Sequence, residues 1–389
     1  MDFSLTPEQQ AFQDAVRNFA ERRLRKDALA RAHSDEYPND VARMMAEQGL
    51  LGITLGEDKG GQGGTLLDAV LAIEEVALAC PRSADVIQAG NFGAIRVLGE
   101  FASADQRERY LTPLLRGHGL IATAMTEPDA GSSVTELTTR AVEDGDGFRI
   151  SGSKIFTTHG RHATIFLVYV RFGPGAGGIG SVLIDRGAEG LSFGKPSQFL
   201  SGESWNAIYF DNVFVPKRNV LLGPGGFKKQ INAFNVERLG NSARSLALGE
   251  YAFNAARDYA LVRKQFGRPL CEFQGLQWKF SNMKMELDAA RLLLCRAAVS
   301  ADRGFPSPAE TAIAKAYCNK SGFNAASEAM QVMGGVGYSE ESLVEYCFRR
   351  TRGWMIAGGS MEMMLNRIAE HVFDRQFSQR PASAANGKH

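Results

Sequence analysis

Four stretches of the sequence set side chains at spacings that could do chemistry. GWMIAGGSMEMM, Gly353 to Met364, places Gly358 and Gly359 before a hydroxyl, Ser360, and a single carboxylate, Glu362. It reads either as a bare turn or as an active-site loop that lacks its acid. TEPDAGSSV, Thr126 to Val134, gathers small residues and hydroxyls. That suits a surface turn, or equally a nest of N–H and O–H donors for an anionic or polyoxygenated ligand. RKQFGRPLCEFQGLQ sets Arg263, Arg268 and Gln274 around a turn with aromatics beside them. It fits a solvated helix end as well as a diphosphate clamp, because a guanidinium presents fixed donors to phosphate oxygens. The fourth is an acid–arginine pair, Glu237 and Arg238, in FNVERLGNSA. Neighbours on a helix project in different directions, and taken alone such a pair is a solvated helix surface.

Other catalytic templates fail. His159 and His162 are close, but no neighbouring carboxylate or cysteine completes a metal set. No G-x-S-x-G nucleophile elbow occurs. The glycines of LGEDKGGQGGTLLD are not followed by Gly-Lys-Ser/Thr, so they read as a flexible loop between helices. GGVGYSEES, with Gly334, Gly335 and Gly337, follows a helix and reads as a C-cap, not a dinucleotide fingerprint.

The elements that must position these residues fall into three blocks within 389 residues. Residues 1–118 show helical periodicity. Thr6 suits an N-cap, Pro7 the first helical position and Gln9 a capping box, with Phe12, Val16, Phe19 and Leu24 on one face. Residues 119–226 hold short β-branched and aromatic runs, TIFLVYVRF, GSVLIDRG and NAIYFDNVFVP, without intervening helices. An antiparallel barrel or sandwich is expected there. From 227 to 378 long amphipathic helices return, as in a bundle, and 379–389 is polar and expected to be disordered. The fold class is thus α+β and multidomain. A net charge of +1 excludes a basic field for nucleic acid or an anionic membrane. No apolar run is long enough to span a bilayer and no signal core opens the chain, so a cytoplasmic location is expected. The five cysteines are scattered singly, which fits buried thiols in a reducing compartment.

AMTEPDAGSS, VRKQFGRPLCEFQGLQ, AMQVMGGVGY and AGGSMEM occur in that order, and together they resemble the acyl-CoA dehydrogenase family of flavoproteins. The likeness runs from Leu5 to about Phe377. It implies FAD between the β domain and a C-terminal four-helix bundle, an acyl-CoA substrate, and electron-transferring flavoprotein as partner. It also implies a homotetramer (or dimer) whose neighbouring subunit completes the flavin site. Carried over by motif, Met125, Thr126 and Ser132 lie along the flavin and the CoA chain. Phe156 covers the flavin face, where many members have Trp, and Thr158 sits near flavin N5. Arg263, Phe266 and Gln274 reach the FAD diphosphate and adenosine across the subunit interface, with Gln331, Gly334 and Gly335 as a second diphosphate contact. Ser360 and Glu362 match a flavin-side hydroxyl and the polar residue of the last motif. Asp129 and Ser133 depart from the family's common Gly and Asp.

The resemblance also gives the opening stretch its meaning. Straight-chain members carry a catalytic Glu directly before Gly-Thr/Ser, and here that position is Gly358. Members similar to isovaleryl- and long-chain acyl-CoA dehydrogenases supply the base from another helix, immediately before an arginine. Glu237, before Arg238, matches that point, which leaves Arg238 to serve structure or to bind the CoA substrate. The expectation is an FAD-dependent dehydrogenase in which Glu237 takes the α-proton, the β-hydride goes to flavin N5, and the Gly358 N–H polarises the thioester carbonyl. The substrate would be a short, branched or modified acyl-CoA. Non-oxidative C–S cleavage of a sulfinoacyl-CoA and flavin-dependent oxygenation on the same scaffold are the alternatives, and a non-catalytic CoA-binding subunit is a third. Desulfination would want a cation near the acyl end. Arg82 and Arg96 are the candidates, each expected at the surface.

Overall fold

The computed structural model describes residues 4–301 and 304–377, so the tail expected to be disordered lies outside the described residues. The chain starts as its sequence dictates. Thr6 accepts from the Gln9 N–H while the Gln9 side chain returns to the Thr6 N–H, closing the capping box of helix Pro7–Arg23. Val16 and Leu24 are buried, with Phe12 and Phe19 packed against the same core. Helix Leu66–Ala79 is buried almost throughout. Helices Ala84–Asn91 and Gly93–Phe101 then carry the chain toward the bundle. The glycine-rich loop between 56 and 64 differs from its flexible reading. Gln62 N–H donates to Gly52 O, Gly63 N–H to Leu55 O and Gly64 N–H to Ile53 O, which fastens the loop to the segment before it.

The central block is a nine-stranded sheet. Its strands are β1 (Ile121–Ala124), β2 (Arg140–Asp144), β3 (Gly147–Thr158), β4 (Ile165–Arg171), β5 (Ile179–Asp185), β6 (Leu191–Phe193), β7 (Ser197–Gln198), β8 (Ser204–Pro216) and β9 (Val220–Leu222). The order is β6-β8-β3-β2-β4-β5-β9, with β1 beside β4 and β7 beside β8. The sheet stays open, as a sandwich layer. Pairing is antiparallel except that β1 runs parallel to β4 and β2 meets β4 in parallel at Arg140 and Arg171. The unbroken apolar run of β4 has a simple cause: its two faces feed different cores. Ile165, Leu167 and Tyr169 pack with Leu55, Ile95, Leu98 and Leu111 of the N-terminal block. Phe166, Val168 and Val170 pack with Ile208, Phe210, Val213 and Val215 of β8. A strand buried on both sides shows no polar alternation.

The C-terminal block is built on helices Phe227–Val262, Gln274–Val299 and Pro308–Met333, with Leu343–Trp354 and Met361–Val372 packed on them. Phe227–Val262 and Pro308–Met333 cross closely, because a side chain on Gly249 would start 2.7 Å from Gly322 Cα. After Val262 the chain makes a small hairpin of β10 (Lys264–Gln265) and β11 (Arg268–Pro269). Its two turn residues, Phe266 and Gly267, both lie in the left-handed region at φ 49° and 81°. That is the backbone of a two-residue hairpin turn with mirror-image twist.

Candidate active site

Glu237 and Arg238 diverge from the 36-residue helix Phe227–Val262, as their adjacency requires. The Glu237 carboxylate faces the N-terminal block, where Gln88 Nε2 donates to Oε1. Arg238 turns the other way, donating from Nη1 to Asn235 Oδ1 at 2.8 Å and from Nε to the Gly358 carbonyl at 3.2 Å. Glu237 keeps part of its surface accessible although protein surrounds it on every side, as expected of a side chain lining a cleft. Burial pushes its carboxyl up to about 7, against the opposing pull of Arg244, the Gln88 hydrogen bond and Lys315. Burial, with Arg367 adding to it, brings Arg238 down to about 10.

Gly358 and Gly359 join helices Leu343–Trp354 and Met361–Val372, with φ of +71° and +94°. A side chain on Gly358 would meet Lys315 Cε at 3.5 Å and Asn241 Nδ2 at 3.6 Å. Space alone would admit it, but the left-handed backbone favours glycine. Among the described residues the N–H groups of Gly358 and Gly359 donate to no acceptor in the protein. The approach to this loop is fastened from below: Lys315 Nζ donates to Trp354 O at 2.9 Å and Asn319 Nδ2 to the same oxygen at 2.8 Å. Burial, together with Arg238, brings Lys315 down to about 7. Ser360 caps helix Met361–Val372 by accepting from Met363 N–H at 3.4 Å. Glu362 lies exposed on that helix's first turn, where its own N–H and the Ser360 hydroxyl hold its carboxyl below the usual range. It stays out of the cleft, so the loop offers donors and no base.

On the β domain, Met125 and Thr126 follow β1, and the Thr126 carbonyl accepts from Ile155 N–H at 2.9 Å, next to Phe156. Phe156 sits in a register shift between β3 and β8 with φ 55° and is 49% exposed. A bulky residue held left-handed is strained backbone of the kind that collects at functional sites. Its ring lies 4.7 Å from that of Trp205, which in turn lies 5.9 Å from Phe199. Thr158 is exposed at the end of β3, paired with Trp205. Ser132 is exposed in the turn after Thr126. Glu127, buried beneath, fixes this turn. It accepts from the N–H and hydroxyl groups of Thr138 and Thr139 and from Lys154 Nζ at 2.8 Å. Burial alone would raise Glu127, but Lys154 and these donors bring it down to about 2.

A buried ionic network joins the aromatic face to the Gly358 loop. Arg82 Nη1 donates to Asp85 Oδ2 at 2.6 Å and to Glu203 Oε1 at 3.2 Å. Arg350 pairs with both carboxylates and Arg244 with Asp85. His159 Nε2 lies 3.2 Å from Glu203 Oε1, yet burial and the three arginines bring its ring down to about 3, keeping it neutral. The Trp354 ring lies within reach of both the Arg244 and Arg350 guanidiniums, 4.5 and 4.6 Å away. Arg82, expected at the surface, is therefore only 2% exposed. The sequence could not show this, because its carboxylate partners are 3 and 121 positions away. Arg96 is also partly buried and donates to Thr54 O. Glu127, Lys154, Phe199, Glu203 and Trp205 were missed by sequence reasoning, although Glu127 stood inside TEPDAGSSV and Lys154 opens the KIFTTHG stretch that holds Phe156 and Thr158.

The remaining predicted residues are on the surface. Arg263, Phe266 and Gln274 are exposed around the hairpin, Phe266 to 93%. Gln331, Gly334 and Gly335 are exposed where helix Pro308–Met333 ends. No hydrogen bond or ring contact among the described residues joins either set to the Glu237 cleft.

Glu237, with a carboxyl pushed up by burial, and its neighbour Arg238, which donates to Gly358 O, thus bring the N-terminal block and the Gly358 loop together on one helix. Sequence patterns of the acyl-CoA dehydrogenase N-terminal, middle and C-terminal domains match residues 6–118, 122–213 and 224–373. The chain belongs to the acyl-CoA dehydrogenase family. It is 32% identical over 378 residues to the short-chain specific acyl-CoA dehydrogenase of Clostridium acetobutylicum, covering 96% of this chain and 100% of that one. It is also 32% identical to the 3-sulfinopropanoyl-CoA desulfinase of Paraburkholderia xenovorans, covering 97% and 99%. The solved butyryl-CoA dehydrogenase of Megasphaera elsdenii superposes with a TM-score of 0.90 at 32% identity, covering 96% of this chain and 100% of that one. FAD is the cofactor of this family, and the residues here fit it. Phe156 offers a half-exposed aromatic face with the Trp205 ring tilted beside it, and Thr158 is exposed next to them.

Proposed function

We propose that this protein oxidises a short, branched or modified acyl-CoA, with Glu237 as the base. The observation that carries the reading is Glu237 itself: a partly accessible carboxylate held by Gln88, with its helical neighbour Arg238 tied to the Gly358 loop. A carboxyl near 7 is matched to taking an α-proton close to neutral pH. The free N–H groups of Gly358 and Gly359 suit a thioester oxygen on which charge develops, and Arg238 holds the intervening carbonyl away from it. FAD, when bound, accepts the hydride. Phe156 and Trp205 would cover its ring, with Met125, Thr126 and Thr158 along its edge and Ser132 toward the CoA chain. The bare backbone at Gly358 leaves room for substituents near the reacting carbons.

Arg263, Phe266, Gln274, Gln331, Gly334 and Gly335 would serve a flavin of the neighbouring subunit. In support, Phe266 projects from a rigid hairpin with no cover of its own. Trp278, Met285, Leu292 and Val299 form an exposed apolar stripe at seven-residue spacing, suited to a homotetramer or dimer. Electrons would leave to an electron-transferring flavoprotein. A chain from the solved structure of the electron transferring flavoprotein of Acidaminococcus fermentans resembles this one with a TM-score of 0.90. The single, unbridged cysteines fit a cytoplasmic location. No described helix is long and apolar enough to cross a membrane.

Desulfination is the second reading. It is favoured by the excess of three arginines over two carboxylates in the buried network beside the cleft. Against it, Asp85 and Glu203 already occupy Arg82, and Glu237 would be idle. Anaerobic titration with straight, branched, cyclic and sulfinated acyl-CoAs separates the two. Lasting flavin bleaching by one class supports the dehydrogenase, and sulfite release without lasting bleaching supports the desulfinase.

A further inference from the structure

Glu237 belongs to the bundle, yet both of its carboxylate oxygens meet the N-terminal block. Gln88 Nε2 donates to Oε1. Oε2 stands 2.5 Å from where a Cβ on Gly93 would begin. Gly93 opens its helix with φ +58°, so the chain leaves helix Ala84–Asn91 with bare backbone turned to the carboxylate. Gln88 is 4% exposed, and its side-chain carbonyl is buried without a hydrogen-bond partner. An unpaired buried carbonyl is costly. A carboxylate only accepts, whereas a carboxylic acid carries one O–H donor. A half-turn of the Gln88 amide would bring that idle carbonyl to the acid.

We propose that Gln88 and Gly93 are positioning residues for Glu237. Gly93 leaves the space in which the carboxylate sits. Gln88 donates to the carboxylate before the α-proton moves and accepts from the acid once Glu237 holds that proton. The proposal rests on Glu237 being the base. The charged groups facing Glu237 are Arg244 on its own helix and Lys315 from Pro308–Met333. Asp85, one turn before Gln88, is taken up by Arg82, Arg244 and Arg350.

The test follows the Glu237 carboxyl by isotope-edited infrared spectroscopy of the holoenzyme without substrate, with Glu237→Gln identifying its band. In Gln88→Met, which keeps the shape and removes both hydrogen bonds, the Glu237 titration should move up by about one pH unit. The pH dependence of flavin bleaching by an acyl-CoA should move with it. Gly93→Ala should slow bleaching on the order of 10²-fold at every pH. Adding Glu237→Asp, one methylene shorter, should recover part of that loss. An unmoved band in Gln88→Met, or wild-type bleaching by Gly93→Ala, would overturn the proposal while Glu237→Gln stays inactive. Normal bleaching by Glu237→Gln would overturn the base reading instead.

Discussion

Replacing Glu237 by Gln should abolish turnover and yet make the protein more stable at pH 8. The folded protein holds the Glu237 proton up to about 7, against 4.5 for an ordinary Glu. From about pH 4.5 to 7 the unfolded chain therefore releases a proton that the folded chain keeps, and wild-type stability falls as pH rises. The difference, 7 − 4.5 or about 2.5 units, sets a ceiling of about 3.4 kcal/mol at 1.36 kcal/mol per unit. Glu237 keeps some accessible surface, and the glutamine forfeits the attraction to Arg244 and Lys315, so about 1–2 kcal/mol is the working figure. Glutamine has the same shape and can still pair with Gln88. Thermal melting of wild type and variant with matched flavin content, at pH 5 and pH 8, reads the effect. The variant should gain about 1–3 °C at pH 8 and little at pH 5. A gain equal at both pH values, or a loss at pH 8, would refute the claim that burial of a charge at Glu237 opposes folding.

Other substitutions probe the frame around the base. Asp85→Asn leaves Arg244 without its carboxylate in a buried site and should cost about 3–5 kcal/mol, seen as a fall of several degrees in melting temperature or as insoluble protein. Gly358→Ala meets nothing closer than 3.5 Å, but its φ of +71° should cost about 1–3 kcal/mol; denaturant titration measures it. Phe266→Ser removes an aromatic with no contact to the cleft of its own subunit, so light scattering should show weakened assembly, and bound FAD should fall with it.

The sequence was most informative where local rules act. The Thr6–Gln9 capping box, the return of helices near Phe227 and the apolar strands of the β block can each be read from neighbouring residues. The divergence of Glu237 and Arg238 was legible too, since it follows from helix geometry. Three things were not. The parallel pairing of β1 with β4 depends on a connection of 40 residues, 125–164. The burial of Arg82 depends on Glu203, brought from the β domain. Gln88 and Gly93 carry no motif, and their meaning appears only when the Phe227–Val262 helix lays Glu237 against them.

The central claim is that Glu237 is the base. It is tested most directly by the rate of anaerobic flavin bleaching with the best acyl-CoA, followed by stopped flow from pH 5.5 to 9 in wild type and Glu237→Gln. The base must be deprotonated to act, so the wild-type rate should rise with pH and level off above about 7. The variant should be slower by about 10²–10⁴-fold across the range. A variant within a few-fold of wild type, with the same pH profile, would contradict the account and return the search to the other groups of the cleft.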